Sequence, residues 1–318
     1  MMKFFDKIKF WYKNARPYSV PITVLSWLVI FCYGVKNGGN ILNGLISLVG
    51  ILLVHLSTNL SDDYFDFKRL SQDEINNSKS IKCRYLRNGQ ATIEDLRNVI
   101  FTMLFCAALI GGFLLLRSGA GVIFFAIAVL PIALFYSKLS SKGLGDLAVI
   151  LAYGPLMFEG VYYVMTKSVS WDVLILSVPC ALLVESILYA HMYMDFDEDK
   201  NSGKTTLCTI LKTKQNSLKF FELLYVAAYL SVILFALKSG NWFYLLTLPI
   251  ILMVFDLINM LKSYDLKSLN VRFWHYPLDN WKTVGKNPDA PFFLRFMYCR
   301  NIAVWFMLLT CFAIFMQH

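Results

Sequence analysis

Nine apolar stretches, each long enough to cross a bilayer, constrain this chain more than any other feature. A hydrocarbon core about 30 Å thick takes about 20 helical residues. Stretches near that length fall at 18–35, 41–58, 96–116, 120–137, 146–166, 171–193, 218–237, 241–261 and 298–316. Backbone N–H and C=O groups find no water in lipid, so each stretch is expected to be a helix that satisfies its own hydrogen bonds. Composition excludes an ordinary soluble fold: 57% of the 318 residues are hydrophobic and 16% charged, against about 25% charged in a soluble domain. The expected fold class is all-α, a polytopic bundle of nine transmembrane helices forming a single membrane domain over 1–318.

A formal net charge of +9 would point a soluble chain towards nucleic acid. Here the distribution of the charge fits membrane topology, and no nucleic-acid partner is expected. Cytoplasmic connections carry the Lys/Arg excess. Of the 30 Lys and Arg, only Lys36, Arg117, Lys167 and Lys238 fall in the connections of the opposite side. A missing or extra span would scramble that alternation, so the amino terminus is expected inside and the carboxyl terminus outside.

Within residues 1–17, Phe4, Ile8 and Trp11 recur at helical spacing opposite Lys3, Lys7 and Lys13, the pattern of a helix lying in the interface. Residues 59–95 and 191–217 are expected as cytoplasmic loops. So is 263–297, whose Trp274, His275, Tyr276, Trp281, Phe292 and Phe293 suit packing on the membrane surface. Met1–Ser19 carries no small-residue cleavage site, so this segment is expected to be retained. The seven cysteines form no CxxC pair or Cys/His cluster and read as reduced thiols.

Chemistry concentrates in two acidic clusters. Asn59, Asp63 and Asp66 close the second stretch and, at 100° per residue, share one stripe. Asp195 and Asp199 close the sixth, again on one face, with Asp197 and Glu198 between them. Both clusters fall on the cytoplasmic side by the charge pattern. Carboxylates are hard ligands, and Mg²⁺ is usually held by one or two of them together with substrate phosphates. Lys68, Arg69, Arg84, Arg87, Lys138, Lys142 and Lys204 supply basic groups suited to a diphosphate. Either cluster alone also reads as a solvated helix end with loose ion pairs; two on one side favour a shared metal site.

These residues resemble a known family. Asn59-x-x-Asp62-Asp63-x-x-Asp66 followed by Asp73, and Asp195-x-x-x-Asp199-x-x-x-Gly203-Lys204-Thr205-Thr206-Leu207, are similar to the two aspartate-rich signatures of the UbiA superfamily of intramembrane prenyltransferases. Arg16-Pro17, Arg84-x-x-Arg87-x-Gly89, Gly143-Leu-Gly145-Asp146, Gly154-Pro155 and Gly160-x-Tyr162-Tyr163 resemble its menaquinone-pathway branch, which attaches a polyprenyl chain to 1,4-dihydroxy-2-naphthoate. The chain departs from that branch at His191, Met192 and Met194, where two asparagines and an arginine usually stand.

The resemblance implies a Mg²⁺-dependent transfer of a prenyl group from a prenyl diphosphate to an aromatic quinone precursor. It implies two Mg²⁺ ions, one held by Asn59, Asp63 and Asp66 and the other by Asp195 and Asp199. Lys68, Arg84, Arg87, Lys138 and Lys204 are candidates for the diphosphate, and Tyr136 and Tyr193 for stabilising an allylic cation. His191 and Glu185 are candidates at the acceptor. His55, one helical turn before Asn59, reads as a core histidine or as an acceptor contact. Glu159 and Asp256 are further ionisable groups within apolar stretches, where such groups default to a functional hypothesis. Alternatives are the same fold acting on a different acceptor, cyclisation of the prenyl chain, and, from another class, a cation-coupled transporter.

Overall fold

The computed structural model describes residues 4–69, 83–201, 203–262 and 290–316. An amphipathic helix α1 (Phe4–Asn14) and a 3₁₀ turn (Pro17–Ser19) lead into α2 (Val20–Lys36) and α3 (Ile41–Arg69). The short α4 (Arg84–Arg87) precedes α5 (Ile93–Ser118) and α6 (Gly121–Ser140). Next come α7 (Gly145–Leu151) and α8 (Met157–Thr166), joined by a π-helical turn at Ala152–Leu156, and then α9 (Trp171–Met194). After α10 (Phe196–Asn201) and α11 (Leu207–Ile210), α12 (Lys214–Ser239) is followed by a 3₁₀ segment (Trp242–Ile250), α13 (Ile251–Lys262) and α14 (Ala290–Met316). No strand occurs among the described residues, and nine of their helical segments are long and apolar enough to cross a membrane. The chain is an all-α, multi-pass membrane protein.

Local chemistry sets the helix ends. Thr92 and Asp95 form a reciprocal capping box at the start of α5, and Ser170 and Thr213 accept backbone N–H bonds at the starts of α9 and α12. Helix α9 is the axis of the bundle: 72% of its apolar window is buried inside the protein, against 11% for α5 and 17% for α6. The outer helices instead show Phe101, Phe105, Phe124 and Ile127 to the surroundings, as lipid-facing helices must. Pro155 and the non-helical Gly154 account for the π turn, and a Cβ at Gly154 would lie 2.9 Å from that of Ala181 on α9.

Contacts sort the helix ends into two layers. In one, Asn43 at the start of α3 meets Arg117 and Ser118 at the end of α5 and the Val164 carbonyl at the end of α8. Lys238 pairs with Asp172 in the same layer. At the other end, Arg16 meets Asp62 and Asp63 at the end of α3.

Three sequence expectations change in detail. The first acidic motif is not a loop: α3 continues without a break through Asn59, Asp63 and Asp66 to Arg69. Most of 191–217 is likewise helical, in the end of α9 and in α10, α11 and the start of α12. The last helix begins at Ala290, so the final part of the 263–297 stretch belongs to it. Residues 263–289, including Trp274, His275, Tyr276 and Trp281, and also Asp73, lie outside the described residues. The seven cysteines are free thiols.

Candidate active site

At the end that carries the acidic motifs, the bundle encloses a cavity of about 470 Å³. Asn59 and Asp62 from α3, Tyr136 from α6 and His191 from α9 line it, together with Arg16. The first acidic motif therefore reaches the cavity directly, and the second abuts it through His191, one turn before Asp195. Its remaining wall is chiefly aliphatic, with Ile110, Val129, Ile132 and Leu188 among the residues that face it.

The geometry of the first motif follows from what folds over it. Arg16, in the left-handed region (φ 56°) just before the 3₁₀ turn, sends one guanidinium nitrogen to Asp62 Oδ2 at 3.1 Å and the other to Asp63. Asp63 is buried, accepts a hydrogen bond from Tyr85 Oη at 3.2 Å and does not line the cavity. Trp11 of α1 and Tyr85 of α4 pack edge to face, 5.7 Å between ring centres. Of the three apolar residues of α1 picked out by spacing, Trp11 is buried and Ile8 is exposed. The amino-terminal helix is thus bound to the acidic motif through α4.

Charge keeps this corner together. Burial works against the Arg16 cation, but the Asp63 and Asp62 carboxylates beside it hold it above its ordinary range. Burial, and then the neighbouring Asp63 charge, push the Tyr85 phenol up, so it stays a donor. Asn59 turns its amide to the Ala15 carbonyl and to Ser19 Oγ.

The second motif is arranged differently. Asp195 Oδ2 lies 3.1 Å from His191 Nδ1, one turn earlier. Asp199 is buried and pairs with Lys204 at 2.9 Å. Lys214 reaches Asp197 at 3.0 Å and lies 5.7 Å from the Tyr193 ring. Tyr193 is buried and does not line the cavity.

Residues 19–278 match the UbiA prenyltransferase family. The chain belongs to that family. It is accordingly an enzyme, a UbiA-type prenyltransferase. Among its relatives is 1,4-dihydroxy-2-naphthoate octaprenyltransferase of Haemophilus influenzae, 26% identical over 263 residues, which cover 77% of this chain and 84% of that protein. UbiA prenyltransferase domain-containing protein 1 of Dictyostelium discoideum is 26% identical over 271 residues, 80% of this chain and 79% of the relative. In fold, the chain resembles a UbiA homologue of Archaeoglobus fulgidus solved with GPP and Mg²⁺, at a TM-score of 0.61 and 14% identity over 96% of this chain and 99% of that one.

In this UbiA-family chain, the other residues singled out by sequence fall in three places. Lys68 sits over the Tyr64 ring at 4.7 Å and Lys138 over the Phe65 ring at 5.5 Å, so these two cations flank the end of α3. Asp66 is half-buried on the same turn of α3. Arg84 and Arg87 are on α4, the first exposed and the second half-buried. Glu185 does not line the cavity: it is fully buried on α9, near Asp146 at the start of α7. Glu159 accepts the Ser170 backbone N–H at 3.1 Å and Asp256 accepts from Tyr298 Oη at 3.1 Å, both structural bonds.

Thr23 and Tyr153 are among the residues of the cavity wall that the sequence did not single out. The signal for Tyr153 was its neighbour pair Gly154-Pro155 inside an apolar stretch, which widens the helix there.

Proposed function

We propose that this UbiA-family prenyltransferase transfers a polyprenyl group from a prenyl diphosphate to an aromatic quinone precursor, 1,4-dihydroxy-2-naphthoate in the first instance, with the cavity mouth on the cytoplasmic side. The observation that carries the reading is a cavity with Asn59 and Asp62 of α3 and His191 of α9, the partner of Asp195, at one end and an aliphatic wall beyond. The naphthoate octaprenyltransferases among its relatives support the acceptor. The charge pattern of the connections supports the orientation.

The donor set suits Mg²⁺ shared with a substrate. Among the described residues no three His, Cys, Asp or Glu gather at one point, so a cage made of protein alone is not what the chain offers. It offers carboxylates whose present partners, Arg16, His191 and Lys204, a metal can replace. Asn59, Asp63 and Asp66 would hold one ion, with Asp62 beside them, and Asp195 and Asp199 the second. Bound there, Mg²⁺ would neutralise charge on the departing diphosphate. Lys68, Arg84, Arg87, Lys138 and Lys204 add fixed positive charge around the diphosphate oxygens. Tyr136 presents its ring to an allylic cation at the cavity wall, and the aliphatic lining keeps water from intercepting it.

The test is turnover by purified protein given Mg²⁺, a labelled polyprenyl diphosphate and a panel of aromatic acceptors. Prenylated naphthoate is expected, with EDTA abolishing it and Asp195→Asn or Asp199→Asn lowering kcat at least about a thousandfold. Diphosphate release that survives EDTA and both substitutions refutes the metal reading. Prenylation of a different aromatic, or a cyclised prenyl product, redirects the acceptor assignment.

A further inference from the structure

Below the charged mouth, one turn of α3 deeper than Asn59 and so about 6 Å along the helix, the cavity wall carries a polar patch. His55, Thr23, Tyr153 and Ser19 form it, drawn from α3, α2, the π turn and the 3₁₀ turn. His55 Nε2 lies 2.7 Å from Ser19 Oγ. Its Nδ1 lies 2.7 Å from Tyr153 Oη and 2.9 Å from Thr23 Oγ1, and those two hydroxyls are 2.9 Å apart.

Counting hydrogens fixes the roles. Ser19 Oγ donates its only hydrogen to the Arg16 carbonyl at 2.8 Å, so towards His55 it can only accept. A neutral imidazole has one N–H; it must therefore sit on Nε2, and Nδ1 is an acceptor. The triangle of Nδ1, Thr23 Oγ1 and Tyr153 Oη then contains three acceptors and two hydrogens. With each hydroxyl turned to a neighbour in the triangle, both hydrogens are used inside it, and lone pairs on the hydroxyl oxygens remain. His55 and Tyr153 are each only half-buried, so the patch keeps a surface towards the cavity. So turned, it offers acceptors and keeps its donors to itself.

We propose that this patch seats a hydroxyl of the aromatic acceptor as a hydrogen-bond donor, with Tyr153 making the contact and Thr23 and His55 holding it. The inference deepens the function proposed above and rests on its aromatic acceptor. A carbonyl, a carboxylate or a methyl ether has no hydrogen to give, so the patch selects the reduced, hydroxylated ring over its quinone or its ether. Donation from the hydroxyl also leaves the ring richer in electrons, the state in which it attacks an allylic cation. Tyr153 reaches the patch because the π turn at Ala152–Leu156 interrupts the regular helix there.

The experiment is calorimetric titration of the purified full-length protein, in detergent with Mg²⁺, with 1,4-dihydroxy-2-naphthoate and with its 1,4-dimethoxy analogue. The wild type is expected to prefer the dihydroxy compound by about tenfold, the worth of one or two buried hydrogen bonds. In Tyr153→Phe the preference should fall to within about threefold, while affinity for a prenyl diphosphate stays unchanged; a merely structural role would move both ligands together. Thr23→Val, nearly isosteric, is expected to reduce the preference in the same direction and decides the matter if Tyr153→Phe fails to fold. A wild type that does not distinguish the two compounds, or a preference that survives both substitutions, overturns the proposal. If the wild type prenylates no aromatic compound, the acceptor reading fails on turnover, while the binding ratio still tests the patch separately.

Discussion

Arg16 is the residue whose replacement tests the acidic mouth most directly. It sits between two carboxylates, 3.1 Å from Asp62 and in contact with Asp63, with its side chain 22% exposed and theirs 14% and 4%. At an effective dielectric of about 20, one pair at that distance attracts by about 5 kcal/mol before desolvation is counted. Breaking a buried pair typically costs 3–5 kcal/mol net, and the partial exposure of Arg16 puts Arg16→Gln near about 3 kcal/mol. In EDTA the variant should therefore unfold on the order of 5 °C below the wild type. Magnesium should reverse the order of effects: in the wild type it displaces a guanidinium from Asp62 and Asp63, whereas in the variant it finds the carboxylates already released. Its affinity should rise by up to about a hundredfold, the equivalent of the same 3 kcal/mol, and saturating Mg²⁺ should close the gap in unfolding temperature. Thermal unfolding followed by intrinsic fluorescence during a Mg²⁺ titration measures both effects. If Arg16→Gln is as stable as the wild type in EDTA, or if Mg²⁺ leaves the gap open, these carboxylates are not the metal's and the reasoning is wrong.

Two further outcomes follow from local geometry. The folded Tyr85 phenol is pushed up by burial and by Asp63, so above pH 10 the unfolded chain loses this proton while the folded one keeps it; the stability this group contributes is complete below pH 10 and lost beyond it. Tyr85→Phe should flatten the alkaline loss of unfolding free energy by about 1.4 kcal/mol per pH unit, read from denaturation at pH 10 to 11. A Cβ at Gly121 would lie 2.6 Å from Tyr163 Oη, which accepts the Gly121 N–H, so Gly121→Ala should cost about 1–3 kcal/mol of stability. Gly111→Ala, with nothing within 4 Å of the new Cβ, should cost nothing in the same thermal assay.

The spans were legible because lipid imposes one rule on every residue of a helix, and length and hydropathy report it directly. The facing of individual side chains was not, because it depends on what packs beside them. Asn59, Asp63 and Asp66 do share a stripe of α3, yet Asp63 is covered by Arg16 and α4 while Asp62, about 100° round the helix from it, lines the cavity. Helical angle gives the azimuth of a side chain relative to its neighbours and says nothing of where the cavity lies. The same gap explains Tyr193, placed by sequence beside an allylic cation but packed instead under Lys214. It also explains the His55 patch, whose members Thr23 and Tyr153 touch across 130 positions.

Glu185 shows the consequence for charge. Its stripe on α9 also contains Asp195, which invites a common role, but α9 is buried on nearly every side and Glu185 meets α7. Neither of its oxygens has an N–H or hydroxyl donor among the described residues, and the group near it is the Asp146 carboxyl. Two carboxyls can hydrogen-bond to each other only if a proton lies between them. A proton shared between them would make the pair a clasp between α7 and α9. Glu185→Gln keeps a donor and an acceptor in the same volume, so it should change the unfolding temperature little, and should leave prenyl diphosphate affinity intact. Glu185→Leu leaves Asp146 buried without that partner and should cost about 1–3 kcal/mol. Were both groups charged, the amide would relieve their repulsion and raise stability sharply; that result, or loss of folding on Glu185→Gln, excludes a shared proton.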